Sequence, residues 1–370
     1  MKKRLIAVAA LALVSGIAAA QSNVTVYGNI DLGVLTQNHA AAAGSPTTSL
    51  ANGGISPSIW GFRGSEDLGN GMKAVFNLEG HINADTGQSP GGPVTNQGAL
   101  FRRQSNVGLS SDFGTILLGN QYSPAILAFA ATDPRGLREN FSGLYSWAFN
   151  SGALSGSGLP ATATVVNKNN DVGVFLQNAI SYSNKFGPVG IAGAYSLSER
   201  TNNATVTGGS VYSLGLTYTS PVTLSAAYQQ ANKPGTSDRL STIFTAGAAY
   251  SMGAFTGKLN YLRGKNNATV TLAEVSRVDV FGLGVDFKTA ENNTAAAAVY
   301  FGKNKLDGQD KTTTFILSDE YSLSKRSTLY ATLAFADARA HSSALTSVVL
   351  SPTAQNTNTS LLNVGIKHSF

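Results

Sequence analysis

The chain reads as an all-β protein, a 16-stranded antiparallel transmembrane β-barrel, and three observations predict that class. The first is the C-terminal stretch Ser360–Phe370. Leu362, Val364, Ile366, His368 and Phe370 share one parity, and Asn363, Gly365, Lys367 and Ser369 share the other. Alternation of period two marks a strand with one apolar and one wet face. The second is an export signal: Lys2, Lys3 and Arg4 precede the apolar run Leu5–Val14, and Ala18-Ala19-Ala20 fits an A-x-A cleavage site. The third is composition. Glycine supplies 40 of 370 residues and charged residues only 12%. Mean hydropathy lies near zero, yet no later segment approaches the roughly 20 apolar residues of a spanning helix. Strands whose faces see oil and water in turn give that average. In a bilayer they must close into a barrel, because every backbone polar group has to be paired.

Cleavage after residue 20 leaves 350 residues and lowers the net charge from +6 to +3, because Lys2, Lys3 and Arg4 go with the signal. That balance argues against a nucleic-acid partner, which needs a concentrated basic patch. Cysteine is absent, so an exported chain here does without disulfides. One texture runs from Asn23 to the end, so residues 21–370 form a single domain.

Strands follow in order. Val24–Leu35 is the first, and a polar loop runs from it to about Ser56. Ile59–Ser65 and Met72–Ile82 flank a turn whose Asn70-Gly71 is a strong hairpin signal. Leu100–Leu109 pairs with Thr115–Tyr122, Ala179–Ser183 with Val189–Ser196, and Val211–Thr219 with Val222–Gln230. Leu240–Tyr250 pairs with Phe255–Arg263, Arg277–Lys288 with Ala295–Gly302, and Thr312–Tyr321 with Thr328–Ala336. With the first and last strands the count is 16, and a barrel of that size leaves an aqueous channel. Tyrosine and phenylalanine near segment ends, such as Tyr218, Tyr261 and Phe301, suit interfacial girdles. One connection is too long for a simple loop: 123–177 carries Phe129, Phe141, Tyr145 and Trp147, enough apolar material to fold into the lumen.

Chemistry is sparse. His39, His81, His341 and His368 are scattered without metal-ligand spacing, and Gly69–Ala74 is turn chemistry rather than a phosphate cradle. The sequence predicts no enzyme, no cofactor and no metal. Parity instead sorts the charges, since a charge on the lipid face costs roughly 2–4 kcal/mol at the midplane. Asn29, Asp31, Arg63, Lys73, Glu79, His81, Arg102, Lys258, Asp286 and Lys288 point inward by this rule. Asp31, Glu79 and His81 are expected on the lumen wall. Arg63, Lys73 and Arg102 form the basic side of a constriction, and Asp133, Arg135, Arg138, Glu139 and Asp171 form its loop side. Acidic loop groups would then face the basic wall across a narrow gap. The near balance of charge predicts weak selectivity with a slight anionic lean.

Several segments resemble one family. They are Val24-Thr-Val-Tyr-Gly, Gly61-Phe-Arg-Gly-Ser-Glu-Asp-Leu-Gly-Asn-Gly-Met-Lys-Ala-Val-Phe-Asn-Leu-Glu, Phe101-Arg-Arg-Gln-Ser-Asn-Val-Gly-Leu-Ser-Ser-Asp-Phe-Gly-Thr, Leu323-Ser-Lys-Arg-Ser-Thr-Leu-Tyr-Ala and Val364-Gly-Ile-Lys-His-Ser-Phe. Together they resemble the general diffusion porins of Gram-negative bacteria, of neisserial and betaproteobacterial type. The resemblance implies a homotrimer in the outer membrane and a third external loop, here 123–177, folded into the pore. It implies Phe370 as the recognition end for the insertion machinery, with outer-membrane lipid and lipopolysaccharide as surroundings. Small hydrophilic solutes and ions are the implied cargo. Where relatives often carry arginine, this chain has Ile59, Asn120 and Phe175, which weakens the usual basic wall. A solute-specific channel, with Phe141, Tyr145 and Trp147 as a stacking slide, and a surface adhesin are the other readings.

Overall fold

The computed structural model describes residues 23–40, 45–89, 100–138, 142, 170–171, 173–198, 209–233, 235–267, 271–306, 308–309, 311–340 and 356–370. The export signal read at 1–20 lies outside them. Strands come in the order β1 (Asn23–Ala40), β2 (Ser45–Asn52), β3 (Ile59–Gly69), β4 (Met72–His81), β5 (Gln104–Ser111) and β6 (Gly114–Tyr122). A short helix α1 (Pro124–Ala130) and β7 (Asn170–Asp171) follow, then β8 (Phe175–Phe186), β9 (Val189–Ser196), β10 (Val211–Thr219) and β11 (Val222–Asn232). The rest are β12 (Arg239–Met252), β13 (Phe255–Asn267), β14 (Glu274–Ala290), β15 (Asn293–Asn304), β16 (Lys311–Ser322), β17 (Ser327–Arg339) and β18 (Asn358–Ser369).

All pair antiparallel with their neighbours, and β1 closes the circle on β18 from Asn29↔Ser369 to Gln37↔Leu361. Phe370 carries the closure one step further, exchanging backbone hydrogen bonds with Gly28 at 3.0 and 3.3 Å. The wall is a closed 16-stranded barrel, because β2 and β3 are two halves of one wall strand and β7 is a two-residue spur. The turns at one end are tight. At Gly69–Met72 the left-handed φ of Asn70 (51°) and Gly71 (76°) makes the two-residue hairpin that Asn-Gly favours.

Parity decides what each face meets. On β10 Tyr212, Leu214 and Leu216 are exposed outward while Val211 and Ser213 are buried inward. Leu362, Val364 and Ile366 face out on β18 while Asn363 is fully buried. Leu283→Arg, in the outward row of β14, is expected to destabilise the barrel in lipid by about 2–4 kcal/mol. Denaturant titration in lipid vesicles measures the loss.

Two segments depart from the sequence reading. The stretch up to Ser56 is not all loop: Ser45–Asn52 pairs with β1 from Leu32↔Asn52 outward. Its residues show no apolar alternation, so backbone pairing to a neighbour, rather than its own pattern, makes it a strand. Between its halves, residues 53–58 leave the ladder on the lumen side, where Gly53 and Ser58 bond to the backbone of Asp31. The second departure is β8, which begins at Phe175 rather than Ala179. A register shift between Gly119 and Gln121, with Asn178 at φ 50°, puts Phe175 and Leu176 both out of solvent and hides the alternation.

Candidate pore constriction

The described part of the long connection lies inside the barrel. Ser123 caps α1 by accepting from Ile126 N at 3.1 Å, and Pro124 takes the first-turn position where no backbone donor is needed. One face of the helix, with Ile126 and Phe129, joins inward Ile243, Leu262 and Val280 in a lumen-side apolar cluster. The helix approaches so closely that a Cβ on Gly215 would sit 2.3 Å from the Pro124 carbonyl oxygen, and one on Gly247 would sit 2.1 Å from Thr132 Oγ1.

Hydrogen bonds then carry the chain across the inner wall. Ala125 N donates to Ser213 Oγ (3.0 Å) on β10, Thr132 Oγ1 bonds Ser225 Oγ (2.6 Å) on β11, and Asn260 Nδ2 on β13 donates to Thr132 Oγ1 (2.9 Å). Arg135 N donates to Tyr300 OH (3.0 Å) on β15, and Arg138 clasps Glu320 on β16 through two bonds of 2.9 and 2.8 Å. Residues 123–138 therefore line the lumen along β10 to β16, leaving β1, β3 and β4 as the facing wall.

On that wall Arg63 is exposed, its guanidinium carbon 5.1 Å from the centre of the Tyr27 ring. Tyr27 OH donates to Asn77 Oδ1 (2.7 Å) and Glu79 Oε2 (3.0 Å). Glu79 is buried against Arg103, whose Nε lies 2.7 Å away. Arg103 also bonds Tyr122 OH and sits over the Phe175 ring at 5.1 Å, at the root of the loop. The sequence reading chose Arg102 and passed over Arg103. Adjacent arginines differ in parity, and the register Glu79↔Gln104 continued by alternation would aim Arg102 inward. The bend before β5 breaks that alternation and brings Arg103 onto Glu79 instead. Arg102 is half-buried in the bend before β5, where its carbonyl accepts from Asn120 Nδ2 at 2.8 Å.

Several expected positions change. Lys73 is the second residue of β4, opposite Asp67, so it stands at the turn-side mouth rather than mid-barrel. Asp31 points inward but is sealed, accepting from Tyr330 OH (2.7 Å), Ile55 N (2.9 Å) and Ser56 N (2.8 Å). Glu79 and His81 also point inward and are also buried, so none of the three is a water-washed wall group. Asp133 is 0% exposed and accepts from Leu137 N (2.7 Å), Tyr300 OH (3.2 Å) and Ser142 Oγ (3.3 Å). Burial pushes its carboxyl above the usual range. It latches the loop and does not face Arg63 across a gap. Arg135 is likewise buried, held by Ser318 on β16. Asp171 lies on β7 at the register of Phe175, while Glu139, Phe141, Tyr145 and Trp147 lie outside the described residues. Lys258 and Asp286, inward as expected, pair at 2.7 Å.

A Gram-negative porin family model matches residues 7–341. The chain belongs to that family. Outer membrane porin protein 32 of Delftia acidovorans is 31% identical over 354 residues, covering 90% of this chain and 89% of that protein. An outer membrane porin protein of Bordetella pertussis is 27% identical with full coverage of both. Among solved structures, an anion-selective porin from Comamonas acidovorans superposes with TM-score 0.77 at 26% identity, over 95% of this chain and 100% of that one. This porin is thus an outer-membrane β-barrel with a channel for passive diffusion.

Proposed function

We propose that this porin conducts ions and small hydrophilic solutes with weak selectivity and a lean toward anions. One observation carries the reading. Arginines stand on both sides of the lumen, while three of the acids near them are already committed: Glu79 to Arg103, Glu320 to Arg138 and Asp286 to Lys258. Paired charges cancel at a distance, and the exposed Arg63 leaves a small cationic surplus. The Comamonas acidovorans relative, described as anion-selective, supports the same direction.

The test is the reversal potential of the purified channel under a potassium chloride gradient. The expected sign favours chloride, and Arg63→Gln is expected to shift it toward potassium. A native channel that prefers potassium contradicts the lean, and absence of conductance contradicts the channel.

The assembly is read as a homotrimer, made by cleavage after Ala20. Phe370, 49% exposed at the closing seam, is read as the end that the insertion machinery recognises. Lipopolysaccharide fits the outward face. Arg263, Asp279, Lys303, Lys311 and Arg339 stand in one cross-strand row at the loop end of β13 to β17. Four cations above the outward rings of Tyr261, Phe281 and Phe301 suit phosphorylated headgroups over an apolar band.

A further inference from the structure

We propose that Arg135 anchors a subsite for the carboxylate of a small solute, reached from the turn-side mouth of the lumen. The inference rests on the channel reading and names a class of solute for it. Arg135 is 5% exposed, and its Nη1 donates to Ser318 Oγ. Its Nε and Nη2 are buried and have no acceptor among the described residues. Those two nitrogens form the edge of a guanidinium that meets both oxygens of a carboxylate side-on.

The same edge is filled elsewhere in this chain. Arg138 gives it to Glu320 at 2.9 and 2.8 Å, Arg263 to Asp279 at 2.6 and 2.9 Å, and Arg277 to Glu274 at 2.6 and 2.8 Å. At Arg135 the edge is vacant. Among the described residues no acid fills it: Glu320 serves Arg138, Asp286 serves Lys258, Asp133 accepts from Leu137, Tyr300 and Ser142, and Glu291, on the same cavity wall, does not reach it. A buried charged donor left unmatched is costly, so an incoming oxyanion gains what the fold leaves unmet.

There is room for one. Arg135 forms part of the wall of a polar cavity of about 210 Å³, together with Arg138, Lys258, Asp286, Glu291 and Glu320. Asn292, Ser322 and Thr328, at the tight-turn ends of their hairpins, also border it and place its opening on that side. Three cations and three acids surround the space. A dianion such as phosphate meets three like charges there, whereas a monocarboxylate meets the fork and leaves Glu291, the lining acid without an ion pair among the described residues, to receive an ammonium group. Small monocarboxylates, including zwitterionic amino acids, are therefore the class that fits.

The probe is acetate, titrated on the turn side of single channels held in constant potassium chloride. Saturable reduction of the chloride current is expected in the native protein and is expected to vanish in Arg135→Gln. Arg135→Lys keeps the charge without the fork and is expected to weaken the apparent affinity about tenfold. Lys185→Gln, on a distant turn, serves as the unaffected control. Current that falls without saturation, or saturation that survives Arg135→Gln, overturns the subsite. A native protein without chloride conductance fails the channel reading instead. Acetate line broadening on the detergent-solubilised native protein then decides the subsite separately, since its absence there refutes binding.

Discussion

Asp31→Ala is expected to destabilise the barrel by about 3–5 kcal/mol, because three buried donors lose their acceptor at once and each unmet group costs about 1–3 kcal/mol before relaxation. The donors are Tyr330 OH, Ile55 N and Ser56 N, and the carboxylate they share is 0% exposed. They come from β17 and from the 53–58 segment, so a single side chain joins three parts of the seam region. Asp31→Asn keeps one oxygen acceptor and is expected to lose less. Denaturant titration in lipid vesicles, followed by tryptophan fluorescence, measures both. An alanine variant within about 1 kcal/mol of the native protein contradicts the account.

Asp133→Ala is expected to act on the channel rather than on the wall. Tyr300 OH, Leu137 N and Ser142 Oγ all lose the oxygen that holds the loop against β15. Docking of the loop weakens by about 2–4 kcal/mol on the same scale of unmet bonds. Single-channel records are expected to show altered conductance with frequent stepwise fluctuation, while the reversal potential stays close to that of the native channel. The sequence alone leads to the opposite expectation, a shift of ion preference, because it places Asp133 on the water-facing side of the constriction. A buried carboxyl changes where the loop sits, whereas an exposed one changes the field. Measuring conductance and reversal potential on one variant separates the two.

That contrast shows what was legible. Alternation in β18 and β1 was plain because each strand has lipid on one side and a polar lumen on the other. The direction of Asp31, Glu79, His81, Lys258 and Asp286 followed from it. Parity fixes direction but not depth, so it could not show that Asp31 is sealed by Tyr330, Glu79 by Arg103, and that His81 is buried as well. β2 escaped notice because Ser45–Asn52 takes its conformation from pairing with β1. Arg103 escaped because the bend before β5 interrupts the count. The arginine fork at 135 had no signal in sequence at all, since its vacancy depends on Glu320 and Asp286 being engaged by others.

The interruption between β2 and β3 has a consequence for how such a pore changes its aperture. Each half of that wall strand is indexed to β1 on its own, Leu32↔Asn52 on one side and Asn29↔Ile59 on the other. The intervening residues contribute no rung to the palisade, so their number is uncoupled from its circumference. Lengthening this tongue would throttle the passage and leave the cylinder intact, a freedom that an unbroken stave does not possess.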